Sequence, residues 1–306
     1  MISLRYHIVT IVAVFLALAV GTIVGGAFVQ PVLQRQLEER TDELSAALGE
    51  RRQEIDELRA QLDANNAFAN AAVQYLTANR LLGERVVIVA QEGVEDVLIG
   101  QTQRSLAEAG ASLVAVVSAR RELASDDPET QGRLAEVLGG STASPEELAP
   151  FAAEVLADRL ANGSAGAGTE EDVLSRLLSE GFLAPIGSGL SEGTLEQVGT
   201  DGQIVVVLGG GPDETPVVPL DAFSLPLVRR LAELGVAVAA GESSTTPVPF
   251  VAEVRGGGQD GLVTVDDLDL AAGGAALVLG LDRLLLSGDG GAYGTKDGAE
   301  PLPRGP

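Results

Sequence analysis

The segment that best indicates the fold is Arg85-Val86-Val87-Ile88-Val89-Ala90, a β-branched run that lies between Gly83 and Gly93. A continuous apolar run of this length is typical of a strand buried on both faces of a parallel sheet. A helical pattern from about 94 to 109 follows and stops at Gly110, and a second β-branched run covers 112–117. The three segments together predict a β-α-β unit.

Three later segments extend this predicted sheet, namely 203–208, 236–240 and 262–265. A predicted helix from Asp221 to Leu234 separates the first two, and a last helix is predicted over 271–287. Short strands that alternate with helices indicate an α/β fold with a small, mostly parallel sheet. We assign this domain to residues 81–287 and expect the Gly/Pro-rich residues 288–306 to be disordered.

A helical insert is predicted within this domain, over about 125–185. Ser144-Pro145-Glu146-Glu147 is a capping box with proline at the first helical position, and apolar residues follow it at helical spacing. Residues 169–172 are expected to begin another helix that ends near Gly181. Such an insert covers a sheet edge or forms a docking surface.

The first 30 residues have the features of a membrane anchor. No charged residue occurs from Ile8 to Val29, a run of 22 residues. A helix of that length spans roughly 33 Å, about the thickness of the bilayer's hydrocarbon core. A buried core helix would be shorter and striped, and a cleaved signal peptide would have a shorter apolar region and more basic residues than Arg5 before it. We therefore predict an uncleaved anchor over residues 1–30.

The orientation of this anchor is an expectation only, because the basic residues near its two ends are balanced. Arg5 lies on one side, and Arg35 and Arg40 lie on the other. We expect a cell-envelope protein whose large domain lies outside the cytoplasm, with the choice between inner and outer membrane left open.

Residues 31–80 predict a coiled-coil or helical stalk. Seven of its ten seam positions are apolar, which supports a heptad repeat. The a positions are Thr41, Leu48, Ile55, Leu62 and Ala69, and the d positions are Leu37, Leu44, Arg51, Leu58 and Asn65. Arg51 on the seam and Gly49 within the helix predict weak association, either with a second copy or with another protein. The alternative is a single amphipathic stalk that packs on its own domain.

The composition excludes several functional classes. The chain has 44 acidic and 20 basic residues and a net charge of −24, which disfavours nucleic acid as a partner. It has no cysteine, so it has neither disulfides nor thiolate chemistry. Its one histidine is His7, beside the predicted anchor, which excludes a histidine-based triad or zinc site in the soluble domain. We predict no enzymatic activity, no catalytic or metal-binding residues and no cofactor.

Three loops that follow predicted strands are candidate binding sites. Gly209-Gly210-Gly211-Pro212 lacks both phosphate-loop patterns and is interpreted as a turn, and Gln91-Glu92-Gly93 is no stronger a signal. Asp266, Asp267 and Asp269 offer oxygen ligands for a hard cation, but a solvated acidic loop with Asp269 capping the last helix is the favoured interpretation.

Several segments resemble the actinobacterial MctB-like family, the mycobacterial copper transport protein B group. The resemblance is carried by residues 1–19, MISLRYHIVTIVAVFLALA, by Gly83–Val89, by Thr264–Asp269 and by Gly291–Gly294. It implies a cell-envelope protein with a role in copper transport or efflux, with copper ions as a partner. It carries over no catalytic motif.

The residues themselves limit how copper could be handled. Cu(I) prefers thiolate and thioether ligands, whereas cysteine is absent and the one methionine is Met1. A copper role would therefore act through oligomerisation, weak Cu(II)–carboxylate contacts or a partner protein. The alternative function is a membrane-anchored coiled-coil scaffold for cell-envelope or division machinery.

Overall fold

The computed structural model describes residues 4–163, 172–187, 195–199, 202–258 and 261–303. The chain divides into two compact units, Met1–Asn66 and Ala67–Pro306. A single helix, α1, runs from Leu4 to Thr77, so the predicted anchor and the predicted stalk belong to one element. Its segment Tyr6–Val24 is long and apolar enough to cross a membrane, and no other described helix meets that test.

The second unit is built on a seven-stranded sheet. Its strands are β1 (Arg85–Gln91), β2 (Ser112–Ala119), β3 (Leu183–Pro185), β4 (Gln203–Leu208), β5 (Ala237–Gly241), β6 (Val263–Val265) and β7 (Gly291–Tyr293). The spatial order is β3-β2-β1-β4-β5-β6-β7, and every neighbouring pair is parallel except β2 with β3. From β1, the strands β2 and β3 extend the sheet to one side, and β4 to β7 extend it to the other. The strand order therefore reverses between β1 and β4.

Helices cover both faces of this sheet. They are α2 (Asp96–Glu108), α3 (Pro128–Val137), α4 (Pro145–Asn162), α5 (Val173–Ser179), α6 (Ser224–Glu233), α7 (Phe250–Gly256) and α8 (Ala271–Ser287). Val86 and Ile88 pack with α2 and α8 on one face, whereas Val87 and Val89 belong to the core under α3 to α7 on the other. Successive residues of β1 thus pack into the cores on opposite faces of the sheet, which explains the unbroken apolar run of this strand.

The α/β class and the mostly parallel sheet predicted from the sequence are confirmed. The last helix has the predicted bounds, Ala271–Ser287, and α4 begins at its capping box, where the Glu147 carboxylate accepts the Ser144 N–H at 3.2 Å. The insert contains α3, α4, α5 and β3. The region 169–171, where the sequence predicted the start of α5, lies outside the described residues.

The expectation of a disordered tail after residue 288 was wrong for its first part. Gly291–Tyr293 form β7, which pairs with β6 at the edge of the sheet. The chain then turns back, because Gly294 N–H donates to the Glu300 carbonyl at 2.9 Å and Glu300 N–H donates to the Ala292 carbonyl at 2.8 Å. The sequence analysis missed β3 and β7, because Leu183–Pro185 includes a proline and Gly291–Tyr293 lies in a glycine-rich segment, unlike the β-branched Val263–Val265 of β6.

Candidate functional site

The carboxyl edge of the sheet carries most of the chemistry-bearing side chains. In open α/β sheets, ligands bind outside the carboxyl ends of the strands, at the point where the strand order reverses. Here that point lies between β1 and β4, so Gln91-Glu92-Gly93 and Gly209-Gly210-Gly211 are brought side by side. Two of the three loops singled out in the sequence therefore meet, although they lie more than 100 residues apart.

The glycine run after β4 acts as a turn that packs against its surroundings. A Cβ on Gly209 would lie 2.4 Å from the ring of Phe250, and Gly210 has a φ of +89°. Gly211 N–H donates to Thr246 Oγ1 at 3.0 Å, and that hydroxyl donates to the Gly211 carbonyl at 2.8 Å. The glycines are required by close packing and a left-handed turn, which accords with their interpretation as turn residues.

Glu92 is held by two arginines that follow β2. Arg121 donates to its carboxylate from Nη2 at 2.6 Å, from Nε at 2.9 Å and from the backbone N–H at 2.8 Å, and Arg120 Nε lies 3.4 Å away. Partial burial opposes ionisation of Glu92, but the Arg121 hydrogen bonds and both arginine charges outweigh it and lower its pKa. Glu92 is thus an ionised anchor for the loop after β2.

A second group of charges lies where β5, β6 and β7 end. This carboxylate–lysine cluster consists of three acidic and two basic side chains: Glu242, Asp266, Asp267, Arg255 and Lys296. All three carboxyl groups are buried. With every member ionised, the cluster would carry one excess negative charge.

Within the cluster, Lys296 closes over Glu242. Its Nζ lies 2.7 Å from Glu242 Oε1, and Glu242 Oε2 accepts the Val251 N–H at 2.9 Å. Burial raises the pKa of Glu242, and the charge of Asp266 adds to that rise, while the bonds from Lys296 and Val251 oppose it. The only lysine of the chain therefore compensates a carboxylate that would otherwise be buried alone.

Asp266 ties the final segment to the sheet. Its Oδ1 accepts the N–H groups of Thr295 at 2.7 Å and Lys296 at 3.1 Å, and its Oδ2 lies 2.7 Å from Arg255 Nη1. Arg255 also donates to the Tyr293 carbonyl at 2.9 Å. Asp266 therefore holds Thr295 and Lys296 directly, and Tyr293 through Arg255.

Asp267 is the least satisfied member of the cluster. It is 2% exposed, and its Oδ1 has no hydrogen-bond partner among the described residues. Burial, helped by the charges of Asp266 and Asp269 and opposed by Arg255, raises its pKa to about 6. The first turn of α8 closes on it so tightly that a Cβ on Gly273 would lie 2.0 Å from the Asp267 carbonyl oxygen. The backbone of Gly273 therefore packs directly against Asp267.

The structure corrects the role given to Asp269. Its carboxylate accepts the N–H of Ser244 at 2.6 Å and the Ser244 hydroxyl at 2.7 Å, so it joins the β5 and β6 loops. The N-cap of α8 is Leu270, whose side chain makes no capping bond. The acidic loop is also not solvated, since Asp266 and Asp267 are both buried.

Sequence reasoning missed Glu242, Arg255 and Lys296. One signal was available, because a single lysine among 20 basic residues is an unusual choice at one position. Within the described ranges, no three His, Cys, Asp or Glu side chains are arranged to hold a metal ion. The hydrogen bonds and ion pairs of the cluster connect the ends of β5 and β6 to residues 293–296.

The chain also matches a known protein family over residues 1–303, the family described as "Copper transport outer membrane protein, MctB". The chain belongs to this family. Its relatives include the protein named "Copper transporter MctB" from Mycobacterium tuberculosis (strain CDC 1551 / Oshkosh) and from Mycobacterium bovis, each 28% identical over 98% of both chains. The Mycobacterium leprae protein of the same name is 26% identical over 99% of both chains. The resemblance stated from the sequence is confirmed.

Membership of the MctB family and the apolar segment Tyr6–Val24 indicate a membrane-anchored envelope protein. The names of the family and of these relatives refer to copper transport. The cluster at the carboxyl edge offers copper only carboxylates, and those of Glu242 and Asp266 are already bound by Lys296 and Arg255. The donor set of this chain is therefore a poor one for Cu(I).

Proposed function

We propose that this chain takes part in copper efflux across the cell envelope as a non-enzymatic component that works through oligomerisation or a partner protein. The observation that carries the proposal is the family match, which extends over the anchor, the heptad segment and the α/β unit alike. The relatives named as copper transporters share that full length. We extend the role in their names to this chain on that basis.

The scarcity of soft ligands supports the indirect part of this role. A chain with no cysteine and only Met1 as a thioether gives Cu(I) no coordinating set of its own. Movement of copper would then need a path formed by several copies or by another protein. The heptad face of α1 is the surface that we assign to this association, because its apolar side chains are exposed.

The experiment compares cell-associated copper, by elemental mass spectrometry under copper load, in a parent strain and in a strain that lacks this chain. We expect several-fold accumulation without the chain and full restoration by the intact chain. A variant with Leu44, Leu58 and Leu62 all changed to serine should fail to restore it. A control variant with Ala46, Gln53 and Ala60 changed to serine, on the opposite face of the helix, should succeed.

The same cultures test a second role, a scaffold for envelope or division machinery. This role is favoured by the exposed heptad face together with the lack of soft copper ligands. Unchanged copper with altered septa or cell shape, seen by microscopy, would support the scaffold and contradict the copper role.

The orientation of the soluble unit is part of the proposal, and we place that unit outside the cytoplasm. Because the chain has no cysteine, Asp297→Cys would introduce a single thiol at an exposed position of the final segment. An impermeant maleimide should label it in whole cells. Labelling only after lysis would contradict this orientation.

A further inference from the structure

An apolar face of α1 is exposed along the heptad segment. Its seam side chains between residues 44 and 62 have exposed fractions of 47 to 64%: Leu44, Leu48, Ile55, Leu58 and Leu62. These residues span about 27 Å of helix at 1.5 Å per residue. Exposed aliphatic surface of this extent is unfavourable in water by roughly 25 cal/mol per Å², so a partner helix that covers it gains that energy.

The charges beside this seam favour a parallel partner of the same sequence. In a parallel pair, a g residue faces the e residue of the next heptad on the other helix, which brings Glu54 opposite Arg59 of a second copy. In an antiparallel pair the e positions face each other, and Arg52 and Arg59 would then repel. The Glu54–Arg59 pair thus favours a parallel second copy over the antiparallel register that brings Arg52 opposite Arg59.

The membrane segment of the same helix carries an apolar groove, three of whose residues hold a or d positions when the heptad is extended. The groove is lined by Ala13, Leu16, Ala17, Val20, Gly21 and Val24. Leu16 precedes Leu58 by 42 residues, and Val20 precedes Ile55 by 35, which are whole numbers of heptads. In a left-handed supercoil, which has 3.5 residues per turn, Ala13, Leu16 and Val20 of the groove would lie on the same face as the heptad seam.

Gly21 shows that the groove is not shaped by contacts within this chain. A Cβ at Gly21 would meet no atom within 4 Å, although glycine within a helix costs about 1 kcal/mol relative to alanine. Small residues four apart, such as Ala13, Ala17 and Gly21, let two helices approach closely in a bilayer. The open space at Gly21 is thus available to the helix of another copy.

We propose that two copies of this chain associate in parallel and in register along this face, from the membrane groove to the heptad seam. Both copies enter the membrane by the same segment, which places equivalent residues at the same depth. This inference rests on the anchored, oligomeric role proposed above. It names the partner as a second copy and the face as that of α1.

Arg51 limits the strength of this association. It occupies a d position, so two copies would bring Arg51 against Arg51 in the middle of the seam. In the single chain its Nη1 lies 2.7 Å from Glu54 Oε2, at an exposed site. A charged residue at one seam position lowers stability but fixes the register. Arg51→Leu should therefore tighten dimerisation by about tenfold or more.

Single-cysteine crosslinking of the full chain in native membranes tests the arrangement, because the chain has no cysteine of its own. Leu16→Cys, Leu44→Cys and Leu58→Cys place thiols on the proposed face. The matched controls Leu18→Cys, Ala46→Cys and Ala60→Cys lie on the opposite face, and Leu16 and Leu18 are equally exposed at 66%. After oxidation with diamide, we expect at least fivefold more disulfide-linked homodimer from each seam variant than from its control.

Equal dimer yields at seam and control positions would overturn the proposal. So would seam thiols that crosslink only to a protein of a different mass. Arg51→Leu in the Leu58→Cys background gives a second measurement. This variant should reach the dimer yield of Leu58→Cys alone at about one tenth of the expression level. The crosslinking yields are measured without added copper, so they do not depend on copper transport. If the seam variants did not crosslink but copper export stayed normal, the dimer would be refuted and the proposed function would stand.

Discussion

Two ion pairs of equal length contrast the two units of this chain. Lys296 Nζ lies 2.7 Å from Glu242 Oε1 in the α/β unit, and Arg51 Nη1 lies 2.7 Å from Glu54 Oε2 in the helical unit. The Glu242 side chain is fully buried, whereas Arg51 and Glu54 are 76% and 56% exposed. Burial, and not distance, decides how much each pair contributes to stability. Water screens the exposed charges, whereas the buried charges have lost their hydration and depend on their partners.

The largest expected effect comes from breaking the buried network at its centre. Asp266→Ala leaves Arg255 and the N–H groups of Thr295 and Lys296 without their acceptor. We expect a loss of about 3–5 kcal/mol in the free energy of unfolding. Pulse proteolysis of the full chain in urea measures it. Asp266→Asn keeps one acceptor oxygen and should lose less, and a loss under about 1 kcal/mol for Asp266→Ala would contradict the role assigned to this network.

The next effect is a gain of stability from Asp267→Asn. The pKa of Asp267 is raised from its usual 3.8 to about 6, so the native state binds this proton more tightly than the unfolded state does. Stability contributed by the protonated group is present below pH 4 and is lost as the pH rises to about 6. At neutral pH the asparagine variant should be more stable by about 2–3 kcal/mol.

A pH series checks this assignment. Relative to that of Asp267→Asn, the urea midpoint of the natural chain should decrease as the pH rises from 4 to 6. Parallel curves for the two proteins over this range would show that Asp267 does not titrate as a buried carboxyl group.

Removal of the lysine should have a smaller, pH-dependent effect. Lys296→Met leaves the Glu242 carboxylate buried without its cation, at a cost of about 1–3 kcal/mol at pH 8. The pKa of Glu242 is already raised and should rise further, so the loss should shrink at pH 5, where the group takes up a proton. Lys296→Arg serves as the control that keeps the charge. An equal loss at both pH values would mean that packing, and not charge, explains the effect.

The smallest effect is expected from the exposed pair. Glu54→Gln removes the partner of Arg51, and we expect the unfolding free energy of the helical unit to change by less than about 0.5 kcal/mol. Far-UV circular dichroism of the full chain in urea measures it, with Glu57→Gln as the neighbouring control. A change above about 1 kcal/mol would show that this pair is not fully screened.

Local patterns predicted a large part of the fold. The apolar run at 85–90 and the helix at 271–287 were correctly placed, because strand and helix periods are properties of neighbouring residues. The candidate site was predicted only in pieces. Asp266 and Asp267 were noticed, but their burial and their cationic partners were not.

The missing partners come from long-range contacts. Lys296 lies 54 residues beyond Glu242 and was assigned to a disordered tail because its surroundings are rich in glycine and proline. Composition describes how a segment behaves by itself. It does not register the two N–H bonds that Asp266 accepts from Thr295 and Lys296.

By itself, the sequence determined the apolar segment, the α/β class and the family, since each depends on local periodicity or on similarity along the chain. Only the tertiary structure decided the strand order, the addition of β7 at the edge and the meeting of Glu242, Asp266 and Lys296. These features depend on which distant segments pair and exclude water from one another. The local sequence of a segment does not show which distant segment it will pair with.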